Sequence, residues 1–152
     1  MRKSTRFIAL ILSVLMLLCL VACNGAIGNE ETTTAATSSD AGISATGLWA
    51  KATYLKDTTL GEGSKSVSFT VEAEGQKITI TLKTDAASLG AAMYENGLVE
   101  NASFFSVLNG MEASWDKDQA YWAFYQGEDF MMHGIGDEPI TDGASYRFVY
   151  AK

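Results

Sequence analysis

Two runs of strict alternation, joined by a tight turn, constrain this chain more than any other feature. Val67, Phe69, Val71 and Ala73 alternate with Ser68, Thr70 and Glu72; Ile78, Ile80 and Leu82 alternate with Lys77, Thr79, Thr81 and Lys83. A period of two with one apolar face is the pattern of half-buried β-strands. Glu74-Gly75-Gln76 between them predicts a hairpin, because glycine accepts the positive φ that tight turns need. An apolar face on a hairpin demands a cover. The next segment supplies one: Leu89, Ala92, Met93 and Asn96 recur at helical spacing, Thr84 or Asp85 can cap the first amides, and Gly97 can stop the helix. Gly90-Ala91-Ala92 keeps part of that helix thin, which predicts close approach to a sheet.

Strand patterns return in the second half. Phe104–Leu108 runs into an Asn109-Gly110 turn, and Tyr121-Trp122-Ala123-Phe124-Tyr125 into Gln126-Gly127. Phe130–Met132 is a candidate short partner, and Asp142-Gly143 turns into Tyr146-Arg147-Phe148-Val149-Tyr150. A further strand is expected around Trp49–Leu55, before the turn at Gly61-Glu62-Gly63. Hairpin, helix, then strands predicts an α+β domain over residues 47–152, a β-grasp-like mixed sheet packed by a single helix.

The chain ahead of this domain reads differently. Arg2, Lys3 and Arg6 precede an apolar run of 16 residues, Phe7 to Ala22, which is short against the roughly 20 needed to span a bilayer. Basic start and short apolar core are the marks of an export signal. The run closes on Leu20-Val21-Ala22-Cys23, which resembles the lipobox of bacterial lipoproteins. Ala22 supplies the small residue at the cut, and Cys23 supplies the thiol for lipid transfer. The expectation is a signal peptide at 1–22, lipidation of Cys23, and an extracytoplasmic protein anchored to the cell membrane; stable anchoring takes two acyl chains or an equivalent pair of signals. Both cysteines, Cys19 and Cys23, lie in this region, so the exported domain has no thiol for a disulfide or a zinc site. Residues 23–46 carry Glu30-Glu31, the run Thr32-Thr33-Thr34-Ala35-Ala36-Thr37-Ser38-Ser39, and no aromatic side chain. Too little apolar area is present to offset ordering, so a flexible tether with a reach of about 25–30 Å is expected. Removing the three basic residues of the leader takes the formal charge from −7 to −10, which argues against nucleic acid as a partner.

Thr84-Asp85 with Ser88-Leu89-Gly90, Asn109-Gly110, Tyr121-Trp122-Ala123-Phe124-Tyr125, Gly127-Glu128 and Asp142-Gly143 ahead of the last strand form one pattern. It resembles the transcobalamin C-terminal-like domain of bacterial surface proteins, over about residues 48–152. The resemblance implies a β-grasp fold and, as ligand class, a corrinoid or another flat hydrophobic nutrient.

Residue chemistry argues against an enzyme. His133 is the only histidine, so any histidine-assisted nucleophile would require it, and no Gly-x-Ser-x-Gly elbow occurs. Asp116-Lys117-Asp118 lacks the further oxygen donors of a calcium loop. Gly134-Ile135-Gly136 is too short for a phosphate cradle and reads as a turn. Asn101-Ala102-Ser103 matches a glycosylation acceptor by chance. No metal site and no cofactor is expected, apart from a corrinoid as ligand.

The aromatic residues are the candidate binding surface. On the Tyr121–Tyr125 strand, Trp122 and Phe124 share one face and Tyr121 and Tyr125 the other. The larger apolar pair should enter the core. Tyr121 and Tyr125, with Trp115, Phe130, Met131, Met132 and His133, are then left to line a ligand surface, with His133 at its edge as a polar or cobalt-directed contact. Against this stands a second face closed by the Trp49 segment. The expected function is a non-catalytic ligand-binding module; the alternative is a structural or protein-interaction module of the cell surface without a small-molecule ligand.

Overall fold

The computed structural model describes residues 42–152. The expected signal peptide at 1–22, Cys23 and the part of the expected 23–46 tether up to residue 41 lie outside them. From Ile43 the chain is docked: its amide donates to the Leu55 carbonyl at 2.8 Å, and the Ser44 amide donates to the Gln76 side chain at 3.0 Å.

A six-stranded mixed sheet organises the domain. Its strands are β1 (Thr58–Leu60), β2 (Lys65–Ala73), β3 (Gln76–Thr84), β6 (Tyr121–Gln126), β7 (Asp129–Phe130) and β8 (Ser145–Ala151), in the order β1-β3-β2-β8-β6-β7. The separate two-stranded hairpin is β4 (Val107–Leu108) with β5 (Met111–Glu112). Glu74 and Gly75 turn β2 into β3 with φ of 51° and 75°, the doubly positive combination that matches the twist of a two-residue hairpin. β2 and β8 run parallel at the centre, with the helix α1 (Leu89–Glu95) in the long connection between them.

Register places the apolar positions in phase across four strands. Phe69 faces Ile80 on one side and Tyr146 on the other; Val71 faces Ile78 and Phe148; Phe124 faces Phe148. Directly opposed residues project to the same face of a sheet, so these side chains form one continuous layer. Leu89, Ala92 and Met93 of α1 are buried in the same cluster. An α+β sheet with one principal helix is thus the observed fold. The opposite face pairs Ser68 with Thr81, Thr70 with Thr79 and Glu72 with Lys77, and it is not closed by the Trp49 segment: Trp49 lies fully buried in the core cluster, its indole nitrogen donating to the Ala73 carbonyl at 2.9 Å.

Several local expectations need correction. Residues Gly47–Lys51 form a 3-10 turn rather than a strand; a single inward Trp with no alternating partners has no pleated surface to build. The cap of α1 is Ser88, whose hydroxyl accepts from the Ala91 amide at 3.3 Å. Thr84 instead holds the Ala86 amide, and Asp85 holds both the amide and the hydroxyl of Ser64. The Phe104–Leu108 strand shrinks to Val107–Leu108, and the Phe130–Met132 partner to Asp129–Phe130.

Candidate functional site

Three segments distant in sequence meet at the end of the core layer. Trp122 and Phe124 of β6 form a floor. Ser103, Phe104 and Phe105 form a lip, and Met131, His133, Gly134 and Ile135 a facing wall, with Phe130 at the rim. Together they line a cleft of about 190 Å³. Sites for drug-sized ligands measure about 300–1,000 Å³, so the volume of this cleft is below that range.

The lip lacks regular structure because two side chains take its amides. Asn101 Oδ1 accepts from the Ser103 amide at 2.8 Å and the Phe104 amide at 3.3 Å. Glu100 accepts from the Ser106 amide and hydroxyl at 2.6 and 2.9 Å, and from the Val107 amide. Partial burial pushes the Glu100 carboxyl upward, but the hydrogen bonds from Ser106 and Val107 outweigh it and hold the group below its ordinary value of 4.5. The consequence for pH has a definite sign. A carboxyl depressed in the folded state contributes stability above its unfolded value and loses it as pH falls through the folded one, so the staple is intact at neutral pH and weakens in acid. Phe105 is thereby held edge-on against Phe148 at 5.7 Å, while Phe104 stands 83% exposed.

Opposite the lip, His133 is fixed by a buried acid. Its Nε2 lies 2.7 Å from Glu138 Oε2, and the Tyr146 hydroxyl donates to Glu138 Oε1 at 2.7 Å. A carboxylate only accepts, so Nε2 carries the hydrogen, and in the neutral ring Nδ1 keeps a lone pair. Burial, with the accepting carboxylate of Glu138 beside it, raises the Tyr146 phenol well above its ordinary value. The His133 side chain is 41% exposed, and its ring sits edge-on to Phe124 at 6.3 Å. The floor holds one anomaly: Trp122 is 8% exposed, yet its indole nitrogen is buried without a hydrogen-bond partner.

The seven residues expected to form one surface divide between two faces of β6. Met131 and His133 border the cleft, and Phe130 reaches its rim while its ring, paired in register with Tyr125, turns to the other face. Met132, beside them in sequence, is 89% exposed. Tyr121 and Tyr125 stand on the opposite face, as alternation requires. The Tyr125 ring is held between Phe130, centroids 5.5 Å apart, and the Arg147 guanidinium at 4.5 Å. Trp115 lies in the short helix α2 (Trp115–Asp118), exposed, against Tyr121 at 6.4 Å. Phe104, Phe105, Trp122 and Phe124 enter the cleft without having been expected there. The available signal was Phe104-Phe105 itself: two adjacent phenylalanines between serines cannot both point into one core from a strand. Among the described residues no group of three or more His, Cys, Asp or Glu side chains is placed to hold a metal ion.

No protein-family model matches the chain, and no curated protein matches its sequence. Among solved structures, it is similar to a candidate metal-binding protein from Ruminococcus gnavus ATCC 29149, with 21% identity and a TM-score of 0.53 over 59% of this chain and 98% of that one. It is also similar to haptocorrin in complex with Cbi, with 16% identity and a TM-score of 0.41 over 61% of this chain and 26% of that one. The first likeness is one of fold.

Proposed function

We propose that this protein is a lipid-anchored, extracytoplasmic capture module that binds a flat, largely apolar small molecule at the cleft and performs no chemistry on it. The observation that carries this reading is the apolar rim, with Phe104 83% and Phe130 48% exposed at an aromatic cleft. A large apolar side chain held out in water by a stapled loop gains nothing for folding, and clustered exposure of this kind marks a binding surface. The resemblance of the sequence to the transcobalamin C-terminal-like domain favours a corrinoid as the ligand, with its ring against Phe104 and one edge in the cleft. The lipobox favours anchoring through Cys23, which would hold the module at the membrane where a captured nutrient is useful.

Cobinamide titrated against the complete chain should quench tryptophan fluorescence saturably and raise the melting temperature. Phe104→Ala should weaken that binding about tenfold, in line with an aromatic hot spot, while leaving the melting temperature of the free protein within about 2 °C, since an exposed surface substitution costs little stability. Equal affinity in the variant would remove the lip from the site. Acyl labelling abolished in Cys23→Ala is expected from the anchor; retained labelling would dismiss it.

The second reading, a protein-interaction module, draws on the exposed Trp115–Tyr121 pair on the opposite face of β6. Absence of any shift with cobinamide, together with loss of a protein partner in Trp115→Ala, would favour it.

A further inference from the structure

Two residues that line the cleft each carry a ring nitrogen without a hydrogen-bond partner among the described residues. Trp122 contributes an N–H with no acceptor. His133, its Nε2 committed to Glu138, contributes Nδ1, for which no hydrogen bond occurs among the described residues. A buried donor left unpaired carries the full desolvation cost of that group, and such groups in a native fold call for an explanation. Trp122 and His133 border the same small cleft, one as donor and one as acceptor, with aromatic surface around them.

We propose that the group taken into the cleft is a carboxamide carried on a flat ring, its carbonyl accepting from Trp122 Nε1 and its N–H donating to His133 Nδ1. This rests on the reading of the cleft as a ligand site. A carboxylate fits less well on two grounds: it has no hydrogen to give Nδ1, and it would bring a second anion towards the buried Glu138, which is 7% exposed, in a chain of net charge −7. A ketone would satisfy Trp122 alone. The indole nitrogen is covered, so the acceptor reaches it as the wall yields. Of the two loops that form that wall, the 131–135 side is tied to α1 by the Gly90 amide donating to Ile135 O, so the lip, stapled through Glu100 and Asn101, is the side that moves. Burying the ring against Phe104 and Phe105 accompanies the opening.

Four probes of similar ring size separate these possibilities: benzamide, acetophenone, benzoate and toluene, each titrated into the complete chain by NMR. The indole N–H resonance of Trp122 is identified by its loss in Trp122→Phe. Benzamide is expected to bind about tenfold tighter than toluene, from two hydrogen bonds of modest net value each, with acetophenone between them and benzoate weakest. Benzamide and acetophenone should move the Trp122 indole proton downfield, and toluene should not. In Trp122→Phe the advantage of acetophenone over toluene should vanish; in His133→Ala benzamide should fall to the level of acetophenone. If all four bind alike and the indole proton stays in place, the carboxamide assignment is overturned while the cleft remains a ligand site. If none binds, both readings fall. Should Trp122→Phe not fold, the Trp122 indole resonance is assigned by exclusion, from the losses in Trp49→Phe and Trp115→Phe, and its shift in the native chain decides.

Discussion

Phe148→Ala is expected to remove about 3–5 kcal/mol of stability, the range for deleting a buried aromatic ring, and to leave a domain close to unfolding, since small domains hold only about 5–15 kcal/mol in total. Phe148 is fully buried at the point where the core layer meets the cleft. Its ring lies parallel to Phe124, centroids 5.0 Å apart and planes 9° from coplanar, and meets Phe69 and Phe105 edge-on at 5.4 and 5.7 Å. Those three partners belong to β6, β2 and the lip, so the cavity would open among elements that cannot all close inward together. Chemical unfolding in urea reads the loss directly. Tyr125→Ala, on the opposite face of β6, is the control: its ring is partly exposed and its contact with Arg147 is worth about 0.5–1 kcal/mol. A loss below about 1.5 kcal/mol at Phe148, or a larger one at Tyr125, would mean that the two faces of the sheet are assigned the wrong way round.

That assignment of faces was legible in the sequence, and the reason is geometric. Side chains alternate across a strand, so choosing Trp122 and Phe124 for the core commits Tyr121 and Tyr125 to the other face. The same logic recovers β2, β3 and β8, whose apolar residues prove to be in register. Where alternation was weak, local side chains decided. The Phe104–Leu108 run has the composition of a strand, but Glu100 and Asn101 capture the amides of Ser103, Phe104, Ser106 and Val107, the donors a ladder would have used. Ser88 prevailed over Thr84 and Asp85 as the helix cap because those two were already engaged with Ala86 and Ser64. The cleft was the least legible feature. It is assembled from residues 103–105, from Trp122 and Phe124 of β6, and from Phe130, Met131 and His133 to Ile135, and no pattern along the chain announces which loops will meet over that strand. Phe130, Met131 and His133 belong to it because the turn after β6 folds back, Met131 donating its amide to the Phe124 carbonyl at 2.9 Å. Alternation rightly set Tyr121 and Tyr125 on the face away from Trp122 and Phe124, but it carries no information about which face the segment after the turn joins, and Met131 and His133 lie with Trp122 and Phe124 instead.

Gly90→Ala should destabilise the protein and disable the cleft, against what helix propensity alone predicts. Alanine in place of glycine inside a helix ordinarily gains about 1 kcal/mol. Here the added Cβ would stand 1.8 Å from the Ala102 carbonyl oxygen, 2.9 Å from its carbon and 3.0 Å from the Gly136 amide nitrogen. These are backbone atoms on two sides and cannot rotate away. The sequence suggests a thin helix for approach to the sheet; the close approach is instead to the two loops that wall the cleft. One of them must move. The Gly136 side is tied to the helix, with the Gly90 amide donating to Ile135 O and the Leu89 amide to Glu138 O, both at 2.8 Å. The lip has no such tie to α1, so Ala102 gives way and carries Ser103, Phe104 and Phe105 with it. Overpacking of this kind costs about 1–3 kcal/mol, leaving the fold present but the lip displaced, and cobinamide affinity should fall at least about tenfold. Ala91→Gly separates the two causes: it weakens the same helix by about 1 kcal/mol through propensity and introduces no new atom, so it should destabilise while retaining ligand affinity. A Gly90→Ala protein that melts higher than the parent and binds cobinamide equally well would show that the helix and the lip are not in contact as described, and the lip would lose its place in the site.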